Sequence, residues 1–209
     1  MPKLSAVPVR KTRIQSQNEE VILDAALDEF STFGFRGTTV DQIAARAGLS
    51  KPNLLYYFRR KDDIYRAVLE RTLASWLEPL KTLDVAADPI AELSRYITAK
   101  LDMTFANPKA SRLFANEILH GAPHIGGFIA GPLKALVEEK TLTIRRWVAE
   151  GRIAPVDPLH LIFAIWAVTQ HYADFSAQVE VLNGRPVDPA QTRMAVLDIL
   201  LRGLHPAAK

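Results

Sequence analysis

Residues 36–61, RGTTVDQIAARAGLSKPNLLYYFRRK, carry the reading on which the rest of the chain depends. Thr39 and Gln42 stand at the S/T-x-x-E/Q spacing of a capping box, which predicts a helix from about Val40. Ile43, Ala44 and Ala47 give that helix a small apolar face, so a second helix can approach closely. Gly48 supplies a positive-φ turn, Ser50 an N-cap, and Pro52 is tolerated in the first turn that follows. Two short helices joined by a glycine-containing turn form a helix-turn-helix, whose second helix can lie in a DNA major groove. Arg36, Arg46, Lys51, Arg59, Arg60 and Lys61 are opposed in this stretch by one acid, Asp41. Such a surface attracts phosphates.

Helix-turn-helix geometry also arises as plain core packing. What favours DNA here is Tyr56-Tyr57-Phe58 followed at once by Arg59-Arg60-Lys61, because a structural corner has no need of cations stacked beside two tyrosines. The formal charge agrees. Residues 1–66 carry 11 Lys/Arg against 8 Asp/Glu, whereas residues 67–209 carry 15 of each. The excess positive charge is confined to the N-terminal third, as expected if only that third meets a polyanion.

The chain has 209 residues, 48% of them apolar, enough for a small domain plus a medium one. It has no cysteine, which excludes a disulfide framework and a thiolate zinc site. The first residues, with Lys3, Arg10, Lys11 and Arg13, lack the apolar core of a signal peptide, and the longest apolar run, Leu161–Val168, is too short to span a membrane. A cytoplasmic protein is expected. Residues 1–15 read as a flexible basic arm, 16–66 as the DNA-binding domain, and 67–209 as a ligand-binding and dimerisation domain.

The periodicity predicts helices throughout and no strand, hence an all-α fold. Ser16 and Glu19 have capping-box spacing, and Ile22, Ala26, Phe30 and Phe33 form a stripe on a helix that Gly34 ends. A fourth helix is expected from Arg60 to Glu78, limited by Pro79. It carries Ile64, Val68 and Leu69 toward the DNA-binding unit and Trp76 into the remainder, so it can act as a lever. Further helices are expected over 89–106, from Asn107-Pro108 to Leu119, up to Glu150, over 158–182 and over 189–204. Gly121, Pro123, Gly126, Gly127, Gly131 and Pro132 read as a broken, mobile stretch.

GFRGTTVDQIAARAGLSKPNLLYYFRRKDDIYRAVL, residues 34–69, resembles the DNA-binding domain of the TetR family of bacterial transcriptional regulators. The match includes Gly34, Thr38-Thr39, Ile43-Ala44, Ala47-Gly48, Ser50, Tyr56-Tyr57-Phe58, Lys61 and Leu69. NPKASRLFANEILHGAP, LKALVEEKT and APVDPLHLIFAIWAVTQHYADFSAQVE are similar to the pyrimidine-utilisation branch of that family. The resemblance implies an all-α homodimer whose C-terminal domains pair as a four-helix bundle, here through residues 158–182 and 189–204. It implies that the recognition helix, Lys51–Phe58, enters one half of a pseudo-palindromic double-stranded operator. Thr39, Tyr56 and Lys61 match positions that hold phosphates, with Lys51 among the DNA-facing cations and Tyr57 and Asn53 within range of base edges or backbone. A pyrimidine such as uracil or thymine is the implied effector.

Trp166, Gln170 and Asp174 recur at i, i+4 and i+8, on one helical face. A carboxamide offers a planar heterocycle a donor and an acceptor, a carboxylate accepts a ring N–H, and an indole encloses the ring. Trp76 is the candidate for a second wall. Against this, both tryptophans could be core, Gln170 could tie two helices together, and His171 and Tyr172 could face a dimer partner. His120 and His124 are separated by Gly121 and Pro123, so no metal site is expected, and Arg112 and Glu117 read as a solvated or inter-helix pair. With no nucleophile elbow, phosphate loop or paired carboxylates, neither catalysis nor a cofactor is expected. The competing readings are a regulator sensing a larger apolar compound such as a drug or lipid, a helical enzyme with an accessory DNA-binding segment, and a DNA-coating protein.

Overall fold

The computed structural model describes residues 13–206. The expected arm over 1–15 lies outside them, with Lys3, Arg10 and Lys11, except for its last three residues, which are already helical. No strand occurs among the described residues, and the chain divides into two compact units between Val68 and Leu69. No described helix is long and apolar enough to cross a membrane.

The first unit contains α1 (Arg13–Gly37), α2 (Val40–Arg46), α3 (Lys51–Tyr57) and the opening turns of α4 (Lys61–Lys81). Its core is Ile22, Ala26, Phe30, Ile43, Leu54, Ile64 and Val68, all fully buried. Phe33 does not join the buried stripe and is 52% exposed. Gly34, at φ 69°, turns the chain, so Phe35 takes the inward place, its ring 4.9 Å from Tyr65 and 6.2 Å from Phe30. Thr38 closes this corner by donating its hydroxyl to the carbonyls of Gly34 and Glu29. The capping box is formed as expected: Gln42 N–H donates to Thr39 Oγ1 and Thr39 N–H to Gln42 Oε1. Gly48 adopts φ 68°. Buried Glu29 accepts from the Arg46 guanidinium, fastening α1 to α2.

The α4 helix does not stop at Glu78; it runs through Pro79 to Lys81. Proline already has a helical φ, and in a last turn its missing N–H removes a single ladder bond. The second unit continues with α5 (Pro89–Ala106), α6 (Pro108–Leu119), α7 (Gly126–Phe128), a π-helical turn (Ile129–Leu133), α8 (Lys134–Ala149), α9 (Pro158–Asp174), α10 (Ser176–Asn183) and α11 (Pro189–Leu201). Asp88, Asn107, Asp157 and Asp188 cap their helices, each ahead of a proline. Here α5 is central, burying Leu93, Tyr96, Ile97 and Leu101. The buried indole of Trp147 donates to Val85 O at 2.9 Å, fixing the α4–α5 connection.

The second unit departs from the sequence expectation in two places. The Gly/Pro-rich stretch is helical from Gly126 onward, and only its first residues form a turn. Pro132 sits in the π-turn, where the irregular ladder accommodates a residue without an N–H. The helix expected over 158–182 breaks at Phe175, whose ψ of 30° ends α9 before α10 begins.

Candidate functional site

In the first unit, Ser50 Oγ accepts the Asn53 N–H, presenting α3 on a firm turn. Tyr57 OH accepts from Asn18 Nδ2 at 2.7 Å, which anchors α3 to α1, and the Tyr56 ring stands against Tyr57 at 89°. Tyr56 is 71% exposed, while the side chain of Tyr57 is half-buried. Lys51, Asn53, Arg59 and Arg60 are all exposed. Lys51 lies 2.9 Å from Asp41, an exposed pair that a phosphate can replace at little cost. Thr39 has its hydroxyl engaged with Gln42. Lys61 differs from the others. Its ammonium donates to Phe35 O at 2.7 Å and Thr38 O at 2.9 Å and sits 4.5 Å from the centroid of the Phe35 ring. It therefore holds the end of α1 and the loop after it onto the start of α4.

In the second unit a cavity of about 580 Å³ opens among α4, α5, α6, the π-turn and α9. Trp76, Trp166, Gln170 and Asp174 all line it. Leu73, Leu77, Phe114, Ile129 and Leu133 give it apolar walls. Trp76 packs edge-on to Phe114, at 5.3 Å between centroids. Trp166 donates its indole N–H to Tyr96 OH at 2.6 Å, so its ring and not its N–H is available to the cavity. Among the described residues nothing hydrogen-bonds the Gln170 carboxamide. Asp174 Oδ1 accepts from Ser111 Oγ at 2.5 Å; burial pushes its carboxyl up, opposed by Ser111 and the nearby Lys100 and Arg112 cations.

Lys100 and Arg112 also belong to this cavity, although the sequence pattern does not single them out as ligand-binding. The signal for Lys100 lies in α5, where it stands three and seven residues after Ile97 and Leu93, on the core stripe. Its ammonium is 4.7 Å from the centroid of Trp76, and burial pushes its pKa down to about 8 against the pull of Asp174. Arg112 and Glu117 do not pair. Arg112 reaches toward Ala173 O, whereas buried Glu117 accepts from the backbone N–H of His124 at 2.7 Å and faces its ring at 3.2 Å. Tyr172 tilts against Phe105, with 6.0 Å between ring centroids.

A helix-turn-helix unit followed by a helical unit with a ligand-sized cavity is the build of a one-component transcriptional regulator. Residues 22–68 match the family model of bacterial regulatory proteins of the tetR family, and residues 69–207 that of the YcdC-like protein C-terminal region. The chain belongs to the TetR family of bacterial transcriptional regulators. It is 47% identical over 201 residues to the HTH-type transcriptional regulator RutR of Escherichia coli strain K12, covering 94% of this chain and 95% of that one. It is also similar to the HTH-type transcriptional repressor NicS of Pseudomonas putida, 30% identical over 144 residues, covering 62% of this chain and 68% of the relative. In fold it resembles a tetR-family regulatory protein from Rhodococcus RHA1, with TM-score 0.74 and 20% identity over 92% of this chain and 99% of the other. The regulator PfmR of Thermus thermophilus is similar too, with TM-score 0.70 and 22% identity over 87% of this chain and 97% of the other.

Proposed function

We propose that this regulator binds a pseudo-palindromic operator as a cytoplasmic homodimer and releases it when a pyrimidine, uracil or thymine, enters the cavity of the second unit. The observation that carries the reading is the cavity itself. Trp166, Gln170 and Asp174, which share one face of α9, line one space with Trp76 of α4, and among the described residues nothing hydrogen-bonds the Gln170 carboxamide. The likeness to RutR along nearly the whole chain supports the pyrimidine class. On the DNA side, Lys51, Asn53, Tyr56 and Tyr57 make the contacting face, with Thr39 and Lys61 holding its frame and adding backbone contacts.

The ligand acts through α4, which carries Trp76 and whose first turns belong to the DNA-binding unit. A pyrimidine against Trp76 and Trp166 biases α4, and with it the separation of the two recognition helices. The bias equals the difference in ligand affinity between the DNA-competent and released states, so operator weakens uracil binding by the factor by which uracil weakens operator binding. Gln170→Leu tests the reading. It keeps side-chain volume and helix propensity but leaves the base with unpaired polar atoms, a loss of about 1–3 kcal/mol. Operator affinity and melting temperature are expected to stay while uracil-induced release collapses. A fully uracil-responsive variant would place the pocket elsewhere, and joint loss of stability and operator binding would make Gln170 a structural tie.

Exposed apolar side chains on α9 to α11 supply the dimer face: Phe163, Val181, Leu182, Met194 and Ile199 are between 47% and 80% exposed. Ile199→Glu is expected to sediment as a monomer at micromolar concentration where the parent sediments as a dimer, and to lose operator affinity with it. A monomeric parent would contradict this face.

The cavity volume and its aliphatic walls favour a second reading, an effector larger and more apolar than a single pyrimidine ring. A thermal-shift series of pyrimidines, purines and hydrophobic compounds separates the two, because the ligand that prefers the native state raises its melting point.

A further inference from the structure

Two phenols on the recognition helix keep protons that nothing accepts. Asn18, in the second turn of α1, donates its carboxamide N–H to Tyr57 OH at 2.7 Å, and Gln15, one turn earlier, donates to Tyr56 OH at 3.4 Å. A carboxamide nitrogen only donates, so each phenol oxygen is an acceptor there and retains its own proton to give. Among the described residues neither hydroxyl has an acceptor. The shorter bond joins two half-buried side chains, and the Tyr56 ring stands edge-on to Tyr57 at 5.2 Å between centroids, which holds the Tyr57 ring in place.

We infer that Asn18 is a positioning residue for operator binding: its N–H occupies the near side of the Tyr57 oxygen, turns the phenol proton to the side away from α1, and so presets Tyr57 to donate to a DNA phosphate. The inference rests on the reading of α3 as the operator-binding helix and brings a residue of α1 into that site.

Conjugation keeps a phenol O–H near the plane of its ring, pointing to one side of the oxygen or the other. A donor lodged on one side repels the proton from it, so the other orientation is fixed before DNA arrives and no ordering cost is left for binding. Accepting a hydrogen bond also polarises the phenol, which makes its O–H a stronger donor. The surroundings select the acceptor. Lys51 opens α3 and Arg59 and Arg60 follow it, all three exposed, so the group drawn to this face is anionic, and a phosphate oxygen takes a hydroxyl proton in a charge-assisted bond.

Exchanging the donor for an acceptor tests this in the full-length protein, on a duplex that the wild type selects from a randomised pool. In Asn18→Asp the carboxylate accepts, so the phenol turns its proton toward α1 and the melting temperature holds, while affinity for the duplex is expected to fall at least about tenfold. Tyr57→Phe keeps the ring and removes the hydroxyl. It is expected to cost a similar factor and to select the same base sequence, because a phosphate contact carries no base preference. The new carboxylate also repels DNA, and the double variant separates the two causes: the factor lost through Asn18→Asp is expected to shrink at least about threefold once the hydroxyl is gone. An equal factor in both backgrounds means repulsion alone and overturns the positioning role. Wild-type affinity in Tyr57→Phe overturns the phosphate contact, and a changed base preference in that variant overturns it by making Tyr57 a base reader. Should Asn18→Asp not fold, Asn18→Leu carries the same cycle, with an expected loss of at least about threefold that Tyr57→Phe abolishes. Each of these failures leaves the DNA-binding reading standing, whereas a wild type that selects no duplex overturns both.

Discussion

Replacing Lys61 by alanine is expected to lower the stability of the DNA-binding unit by roughly 3 kcal/mol, more than loss of a phosphate contact would suggest. The side chain donates two charge-assisted hydrogen bonds to Phe35 O and Thr38 O and places its cation over the Phe35 ring. Bonds of this kind contribute about 1.5–3 kcal/mol each and the cation–π contact about 0.5–1 kcal/mol, and the groups act together, so their sum is an upper bound. Phe35 O is in the last turn of α1, and Thr38 O is in the connection that carries Thr39 and the start of α2. Losing Lys61 therefore loosens the frame of the recognition helix. Tyr56→Ala is the contrast. Tyr56 is 71% exposed and its hydroxyl accepts a long hydrogen bond from Gln15 at 3.4 Å, so stability should change by no more than about 0.5 kcal/mol. Operator affinity should fall in both variants. The distinction is in the melting curve of the ligand-free protein, read by circular dichroism: a drop for Lys61→Ala and none for Tyr56→Ala. If Lys61→Ala melts with the parent and only the salt slope of operator binding falls, by about one unit, then Lys61 is a phosphate contact alone.

The helix-turn-helix is legible in the sequence because local chemistry determines it. A capping box, a positive-φ glycine and a second N-cap each act within four residues, and all three are formed. The all-α class is equally legible from apolar periodicity. What misleads are residues whose average behaviour differs from their behaviour here. Pro79 and Pro132 read as breaks, yet a final helical turn and a π-turn can each omit an N–H. Phe33 and Phe35 are both apolar near a helix end, and only the left-handed Gly34 between them decides which one turns inward. The break at Phe175 carries no glycine or proline to announce it.

The cavity is half legible for a related reason. Trp166, Gln170 and Asp174 share one helix, so a count along α9 suffices to group them. Lys100 and Arg112 come from α5 and α6, and their approach to Asp174 depends on how three helices pack, which no count along one helix contains. The lysine on the core stripe of α5 is nonetheless a local contradiction, of the kind that marks a site where packing yields to function.

Lys100→Met should make the ligand-free protein more stable, by about 2 kcal/mol near neutral pH. Burial moves the Lys100 pKa from its ordinary 10.5 down to about 8, and at about 1.4 kcal/mol per pH unit that corresponds to a penalty of roughly 3 kcal/mol for keeping the proton. The contact with Trp76 offsets part of it. Methionine fills a similar volume and keeps the apolar stem in place, so the penalty is removed without opening a cavity. A gain of this size raises the melting temperature by roughly 4–8 °C in a chain of this length. The sign of the pH dependence follows from the folded pKa being the lower one. Between about pH 8 and 10.5 the unfolded chain binds the extra proton, so the stability of the wild type rises through that window, whereas below it the penalty is constant. The advantage of Lys100→Met should hold up to about pH 8 and shrink toward zero by about pH 10.5. A wild type more stable than the variant at neutral pH would mean that the ammonium already has its partner in the protein. A difference that does not change with pH would mean that the charge is not what the substitution removed. A buried charge that lowers stability and is nonetheless retained marks a position kept for function rather than for the fold.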